Sequence, residues 1–297
     1  MNQNPHSLRE ATLFFAITLG LSYFVFWGPL ALFQVPTISF VSDIKGPVWA
    51  IFMYMVNGFG PSIVAIILTR IYEGKTGLNQ FLKRVIQFKI GWRWYLAAIS
   101  VVILPTLGQL LIIHFLGQDF NYGGFITQLG SFIPLIIIGP LSEELGWRGY
   151  ALDRLQTKWS ALVSSIMVGI LWALWHLPLF FMLGTSQHEL QIPFIGFLVG
   201  LIALSVLCTW LYNNTNRSIW TAVFFHWLYT YSGQVVASSV TRSSIYNWLE
   251  YSPYLLVSLI VVVVWRSSTL QKNHLGKPTL SKEDQPDHQP AVPRLIS

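Results

Sequence analysis

Eight stretches of this chain stay apolar for roughly 15 to 24 residues at a time, close to what an α-helix needs to cross about 30 Å of hydrocarbon at 1.5 Å per residue. They run over 11–33, 47–69, 94–116, 132–155, 161–183, 192–212, 217–239 and 252–266. Within lipid no water is available to satisfy backbone N–H and C=O groups, so such segments must close their hydrogen bonds internally. The sequence therefore predicts an all-α fold, a polytopic transmembrane helical bundle of about eight spans. Only 10% of its 297 residues are charged, against about 25% in a soluble domain, which excludes water as the main solvent.

The formal charge of +6 does not point to nucleic acid, because the basic residues are sorted by side. Threading eight spans from a cytoplasmic N-terminus places Arg70, Lys75, Lys83, Arg84, Lys89 and Arg93 in one inner loop, with Arg154, Lys158 and Arg217 in others. Only Lys45 and Arg242 fall outside, and Arg148 lies within a span. This is the positive-inside pattern, and it predicts that both termini are cytoplasmic. The first apolar stretch is too long for a cleaved signal peptide and is expected to stay as a signal anchor. Cys208 is the single cysteine, so no intramolecular disulfide exists.

Residues 1–266 read as one transmembrane domain, and 267–297, polar and nearly free of aromatics, as a disordered cytoplasmic tail. Between the second and third spans Leu78, Phe81, Leu82, Val85, Ile86 and Ile90 recur at helical spacing with Lys83, Arg84 and Lys89 interleaved. That pattern predicts an interfacial helix held by membrane lipid on the inner leaflet.

Ionisable groups inside spans are the informative residues, since each costs about 2.5–3.5 kcal/mol at mid-depth. The fourth stretch holds Glu143, Glu144 and Arg148, together on the order of 8–10 kcal/mol if unpaired. Glu144 and Arg148 are one helical turn apart and can pair, which leaves Glu143 as the extra carboxylate. A helix starting near Phe132 would carry Glu143 roughly 17 Å into the membrane, with Asp153 and Arg154 emerging into water. His176 and His226 lie at similar depth in two further spans. His114, near the outer end of the third span, has no such company and reads as structural. Trp172 and Trp175 fit a site lining and core packing equally.

Together, Glu143-Glu144-Leu-Gly-Trp-Arg148, Trp172-Ala-Leu-Trp-His176 and His226-Trp-Leu-Tyr-Thr230 resemble the CPBP (CaaX protease and bacteriocin-processing, Abi) intramembrane protease family, whose pattern is EExxxR, aromatic-xxx-His and His-xxx-Asn. The first element matches in full, Trp172 stands where Phe is usual, and Thr230 stands where Asn or Asp is usual. The similarity covers about 130–232. It implies an intramembrane endopeptidase of the CaaX type, with Glu143 as general base on water, Glu144 and Arg148 fixing it, and His176 and His226 completing the site. Thr230 would orient the water or polarise the scissile carbonyl.

Two versions of the chemistry remain open. Either the histidines stabilise the oxyanion and protonate the leaving amine, or Glu143, His176 and His226 hold a divalent metal such as zinc. The resemblance further implies a multi-pass bacterial plasma-membrane protein whose substrate is a peptide or protein, prenylated or a bacteriocin precursor. The rival readings are a proton-coupled transporter, against which no inverted repeat is found, and a non-catalytic family member acting in bacteriocin self-immunity or as a scaffold.

Overall fold

The computed structural model describes residues 6–37 and 45–271. Among these the regular elements are helices, with one isolated antiparallel bridge between Phe120 and Val240. Helix α1 (His6–Gly20) runs through a π-helical turn, Leu21–Val25, into the short helix Trp27–Leu32. Then come α2 (Val48–Gly58), α3 (Gly60–Val85), α4 (Trp92–Phe115) and α5 (142–155). The chain closes with α6 (Ala161–His176), α7 (Phe194–Asn213), α8 (Ile219–Ser239) and α9 (Ser252–Trp265).

Five described segments are long and apolar enough to cross a membrane: Leu8–Leu32, Trp92–Phe115, Ala161–Phe181, Phe194–Asn213 and Ser244–Trp265. Helices α2 and α3, bent by 51° where they meet, make a sixth if counted as one span. The stretches expected at 132–155 and 217–239 fall short for different reasons. Helix α8 is continuous over 21 residues, but Tyr229, Thr230, Ser232 and Gln234 dilute its apolar character, and several of these face a cavity.

The 132–155 stretch is not one helix. Short 3₁₀ turns at Leu129–Ser131 and Pro134–Ile136 are followed by a break, with Ile138 extended (φ −92°, ψ 107°) and Gly139 at φ 102°. The Gly139-Pro140 pair explains it. Proline steers the residue before it away from the helical region, and glycine alone adopts the positive φ required. Continuous helix resumes only after the proline, α-helical at Ser142–Glu144 and Asp153–Leu155 and π-helical over Leu145–Leu152 between them, so Glu143 lies in the first turn of α5 rather than eleven residues into a helix from Phe132.

The helices pack closely through small residues. A Cβ on Gly169 of α6 would lie 2.7 Å from the Ile202 Cα of α7, and one on Gly146 of α5 would lie 2.6 Å from the Pro61 carbonyl oxygen of α3. Lipid tails are as apolar as leucine, so such close backbone contact carries much of the association.

The bundle has two unlike ends. At the basic end Arg154 Nε meets Glu10 and its NH2 meets Glu73, each at 2.7 Å. Asp153 there accepts from Arg84 at 2.9 Å, from Arg217 at 3.4 Å and from the Tyr212 hydroxyl at 2.9 Å. Asp153 and Arg154, expected in water, are thus held in ion pairs that tie α1, α3, α5 and α7 together. Ser267 and Ser268 accept from the first backbone N–H groups of α6, and Leu270 is fully buried. Residues 267–271 are therefore packed on the domain, and the rest of the expected tail, 272–297, lies outside the described residues. The basic amphipathic segment follows a break at Gly74 (φ 69°). Phe81 and Ile90 are buried against the bundle while Leu82 and Ile86 face outward.

Candidate active site

Pro140 and the break before it set the first turn of α5 at the floor of a cavity of about 780 Å³. Glu143, Trp172, His176, His226 and Thr230 all line it. The cavity lies between α5, α6, α7 and α8, and its wall continues upward through Tyr229, Gln187 and Arg242. Irregular backbone at membrane depth is tolerated where it lines a water-filled space, since freed N–H and C=O groups then find partners. The non-helical turn at 138–139 thus accords with a wet cavity beside the acids.

The two adjacent glutamates have different surroundings. Glu144 is fully buried, and its Oε1 accepts from Arg148 NH1 and from His226 Nδ1, each at 2.8 Å. Its Oε2 lies 3.8 Å from the Cys208 thiol. Arg148, fully buried as well, stacks over the Trp172 ring at 4.7 Å. Among the described residues no cationic side chain contacts Glu143 directly. Its Oε2 accepts from the indole N–H of Trp172 at 2.6 Å and of Trp147 at 3.3 Å. Its Oε1 faces the turn, 3.8 Å from where a Cβ on Gly139 would sit, so one oxygen is fixed and the other is left toward the cavity.

Both histidines have their tautomer set by what Nδ1 touches. His226 Nδ1 meets the Glu144 carboxylate, and His176 Nδ1 meets the Trp172 carbonyl at 2.9 Å. Since carboxylate and carbonyl oxygens only accept, Nδ1 is the donor in each ring and Nε2 is the atom left for the cavity. His176 is otherwise boxed by Trp27, Trp175 and Phe197 at ring distances of 6.3, 4.7 and 5.4 Å.

All five residues expected from the sequence are brought together, and Thr230 lies one turn beyond His226 on the same cavity wall. Trp172, which grips Glu143, is eleven residues from the start of α6 at the basic end, roughly 17 Å along the helix. Among the described residues no group of three His, Cys, Asp or Glu side chains is placed to hold a metal ion. His226 Nδ1, His176 Nδ1 and Glu143 Oε2 are engaged, which leaves both Nε2 atoms and Glu143 Oε1 toward the cavity. The indole donors of Trp147 and Trp172 to Glu143 are what sequence reasoning does not assign, since Trp172 fits site lining and core packing equally. The signal available was that an indole, unlike the usual Phe at the Trp172 position, carries a donor.

A buried carboxylate–imidazole centre, floored by helices and open to a cavity within a multi-pass membrane bundle, defines the class: an integral membrane protein with a hydrolytic type of site. The family model for type II CAAX prenyl endopeptidase, Rce1-like, matches residues 125–232. Over 240 residues the chain is 31% identical to CAAX prenyl protease 2 of Methanococcus maripaludis, covering 76% of this chain and 84% of that protein. The chain belongs to this family, and the resemblance carried by its three motifs holds. The matches bear on CAAX proteolysis and carry neither bacteriocin processing, immunity nor a bacterial source.

Proposed function

We propose that this protein is an intramembrane endopeptidase of the CAAX type in which Glu143 activates the attacking water. The observation that carries the reading is the contrast between the two glutamates: Glu144 is neutralised by Arg148 and His226, while Glu143 faces the cavity with one oxygen held by two indoles. A base must be fixed yet free to take a proton, and Glu143 meets both conditions. Water held at its Oε1 attacks the peptide carbonyl, and Glu143 takes the water proton.

The histidines divide the remaining work. Two carboxylates and one guanidinium leave the centre one negative charge in excess, and a second proton on His226 would cancel it. With Glu144 compensating at Nδ1, His226 is suited to donate from Nε2 to the oxyanion and then to the leaving amine. His176, bonded to a carbonyl and enclosed by aromatic rings, stays neutral and accepts from water or the peptide N–H. The Thr230 hydroxyl serves the carbonyl oxygen in place of an amide. This route needs no metal. The topology taken with it is the one read from the charges, with the basic end and both termini cytoplasmic. The family relationship suggests a peptide or protein substrate, prenylated as the relative's name implies.

Glu143→Gln tests it. The variant should insert and fold normally while hydrolysis falls by about 10²–10⁴, the usual contribution of a general base. Proteolysis at the wild-type rate in that variant would overturn the assignment. A chelator should leave wild-type turnover unchanged, whereas restoration of a chelated, inactive enzyme by zinc would favour the metal version.

A further inference from the structure

A second charged pair lines the cavity, outside the three motifs. Arg242 follows the end of α8 and Glu250 precedes the start of α9; both lie on the cavity wall, ion-paired to each other. Glu250 is buried, and so is most of the Arg242 side chain. Taking two charges out of water costs more than their attraction returns unless further hydrogen bonds are made, and an apolar pair of similar volume is often the more stable choice. Packing alone therefore does not account for a pair placed here.

The surroundings fix both side chains and leave one polar atom of each unused. Arg242 Nε donates to Asn247 Oδ1 at 2.8 Å, its NH2 donates to Glu250 Oε2, and its guanidinium lies 5.0 Å from the centre of the Tyr246 ring. Asn247 in turn donates to the Leu190 carbonyl at 2.8 Å, in the connection between α6 and α7, and Gln109 of α4 donates to the Glu250 carbonyl at 2.9 Å. Among the described residues Arg242 NH1 and Glu250 Oε1 have no hydrogen-bond partner, and both remain accessible. The wall thus presents a charged donor and a charged acceptor side by side.

We infer that, given peptide hydrolysis in this cavity, the Arg242–Glu250 pair is a second substrate-binding subsite that holds one peptide unit away from the bond that is cut. A peptide unit carries the complementary groups, a C=O for Arg242 NH1 and an N–H for Glu250 Oε1. An anionic group fits less well, because Glu250 already neutralises the guanidinium and another carboxylate would leave a net negative charge in a poorly solvated place. Phe197 links the subsite to the chemistry. Its ring lies 5.4 Å from His176 and 6.1 Å from Tyr251, the residue after Glu250. An extended chain rises about 3.3 Å per residue, so the peptide unit held there lies roughly four residues from the scissile bond.

Affinity reads the subsite without turnover. The probe is a fluorescent prenylated CAAX peptide long enough to span the cavity, titrated into the full-length Glu143→Gln chain in detergent. Arg242→Lys in that background keeps the charge but loses the planar fork, so binding should weaken by about tenfold, as for a lost hydrogen bond to a charged group, with thermal unfolding unchanged. Replacing the peptide N–H by an ester oxygen at one position, about four residues from the cut, should weaken binding to the parent chain but not to the double variant Arg242→Met/Glu250→Met, which leaves no charge unpaired. Amidating the peptide's C-terminus should leave the Arg242→Lys effect intact. Equal affinity of the parent and Arg242→Lys, no saturable binding by the parent, an ester effect that persists in the double variant, an effect abolished by amidation, or a loss that appears only with a lowered melting temperature would each overturn the subsite. Cleavage by Glu143→Gln at the wild-type rate would instead sink the glutamate reading, and the affinities would still decide the subsite.

Discussion

The halves of the bundle below and above Glu143 are built on opposite principles. Below, toward the basic end, α5 meets α3 and α6 meets α7 through glycines, and the helices are laced by Arg154, Asp153, Arg84 and Glu73. Above, the chain before Pro140 is a succession of short turns beside α8, anchored by the Trp227 indole donating to the Phe132 carbonyl at 2.6 Å, and the space within is open. The proposed catalytic residues sit at the boundary. The lower half fixes their position, as the proposed chemistry requires, and the upper half holds the cavity. Rigidity and access are thus assigned to different segments of one stretch that a hydropathy scan reads as a single span.

If that division is real, substitutions should separate into those that change stability and those that change turnover. Arg148→Met should have the largest effect, since it leaves the buried Glu144 carboxylate without its guanidinium partner and with His226 alone beside it, and losing one partner of such a pair costs about 3–5 kcal/mol. Thermal unfolding in detergent would show it, and a wild-type melting curve would refute the structural role of the pair. Trp172→Phe removes a hydrogen bond to a carboxylate worth about 1.5–3 kcal/mol. Because that bond orients Glu143, kcat should fall while the midpoint of unfolding moves little. Equal losses in both would mean that the indole is simply part of the core.

Smaller effects should divide the halves further. Gly169→Val below the site forces α6 from α7, and overpacking of this kind costs about 1–3 kcal/mol. Its signature is lower stability, read by the same melts. Gly139→Ala above the site strains a positive-φ turn next to Glu143 Oε1, also by about 1–3 kcal/mol, and there turnover should respond more than stability. Smallest of all is Arg217→Ala, which removes a half-exposed contact to Asp153 worth no more than about 1 kcal/mol. A large loss from it would show the basic end to be far more finely balanced than its redundant pairs imply.

Membrane residence, the acids and the two histidines that line the cavity with Glu143 were legible in the sequence because lipid makes every ionisable residue conspicuous. The pairing of Glu144 with Arg148 followed from helical spacing alone. The break at Gly139-Pro140 was written there too, but a run of isoleucines around it satisfies any hydropathy measure, and backbone hydrogen bonding is invisible to such a measure. The engagement of His226 with Glu144, and the grip of Trp172 on Glu143, depend on how α8 and α6 are rotated against α5. Rotation of that kind is set by contacts such as Gly169 against Ile202, which no single helix encodes.

Cys208 gives the molecule an internal spectroscope. It is the sole thiol in 297 residues, it is buried, and its sulfur points at the Glu144 carboxylate from 3.8 Å. The S–H stretch falls in an infrared window almost empty of other protein bands, so one unlabelled vibration would register each change in charge at Glu144 as a peptide enters, reacts and leaves.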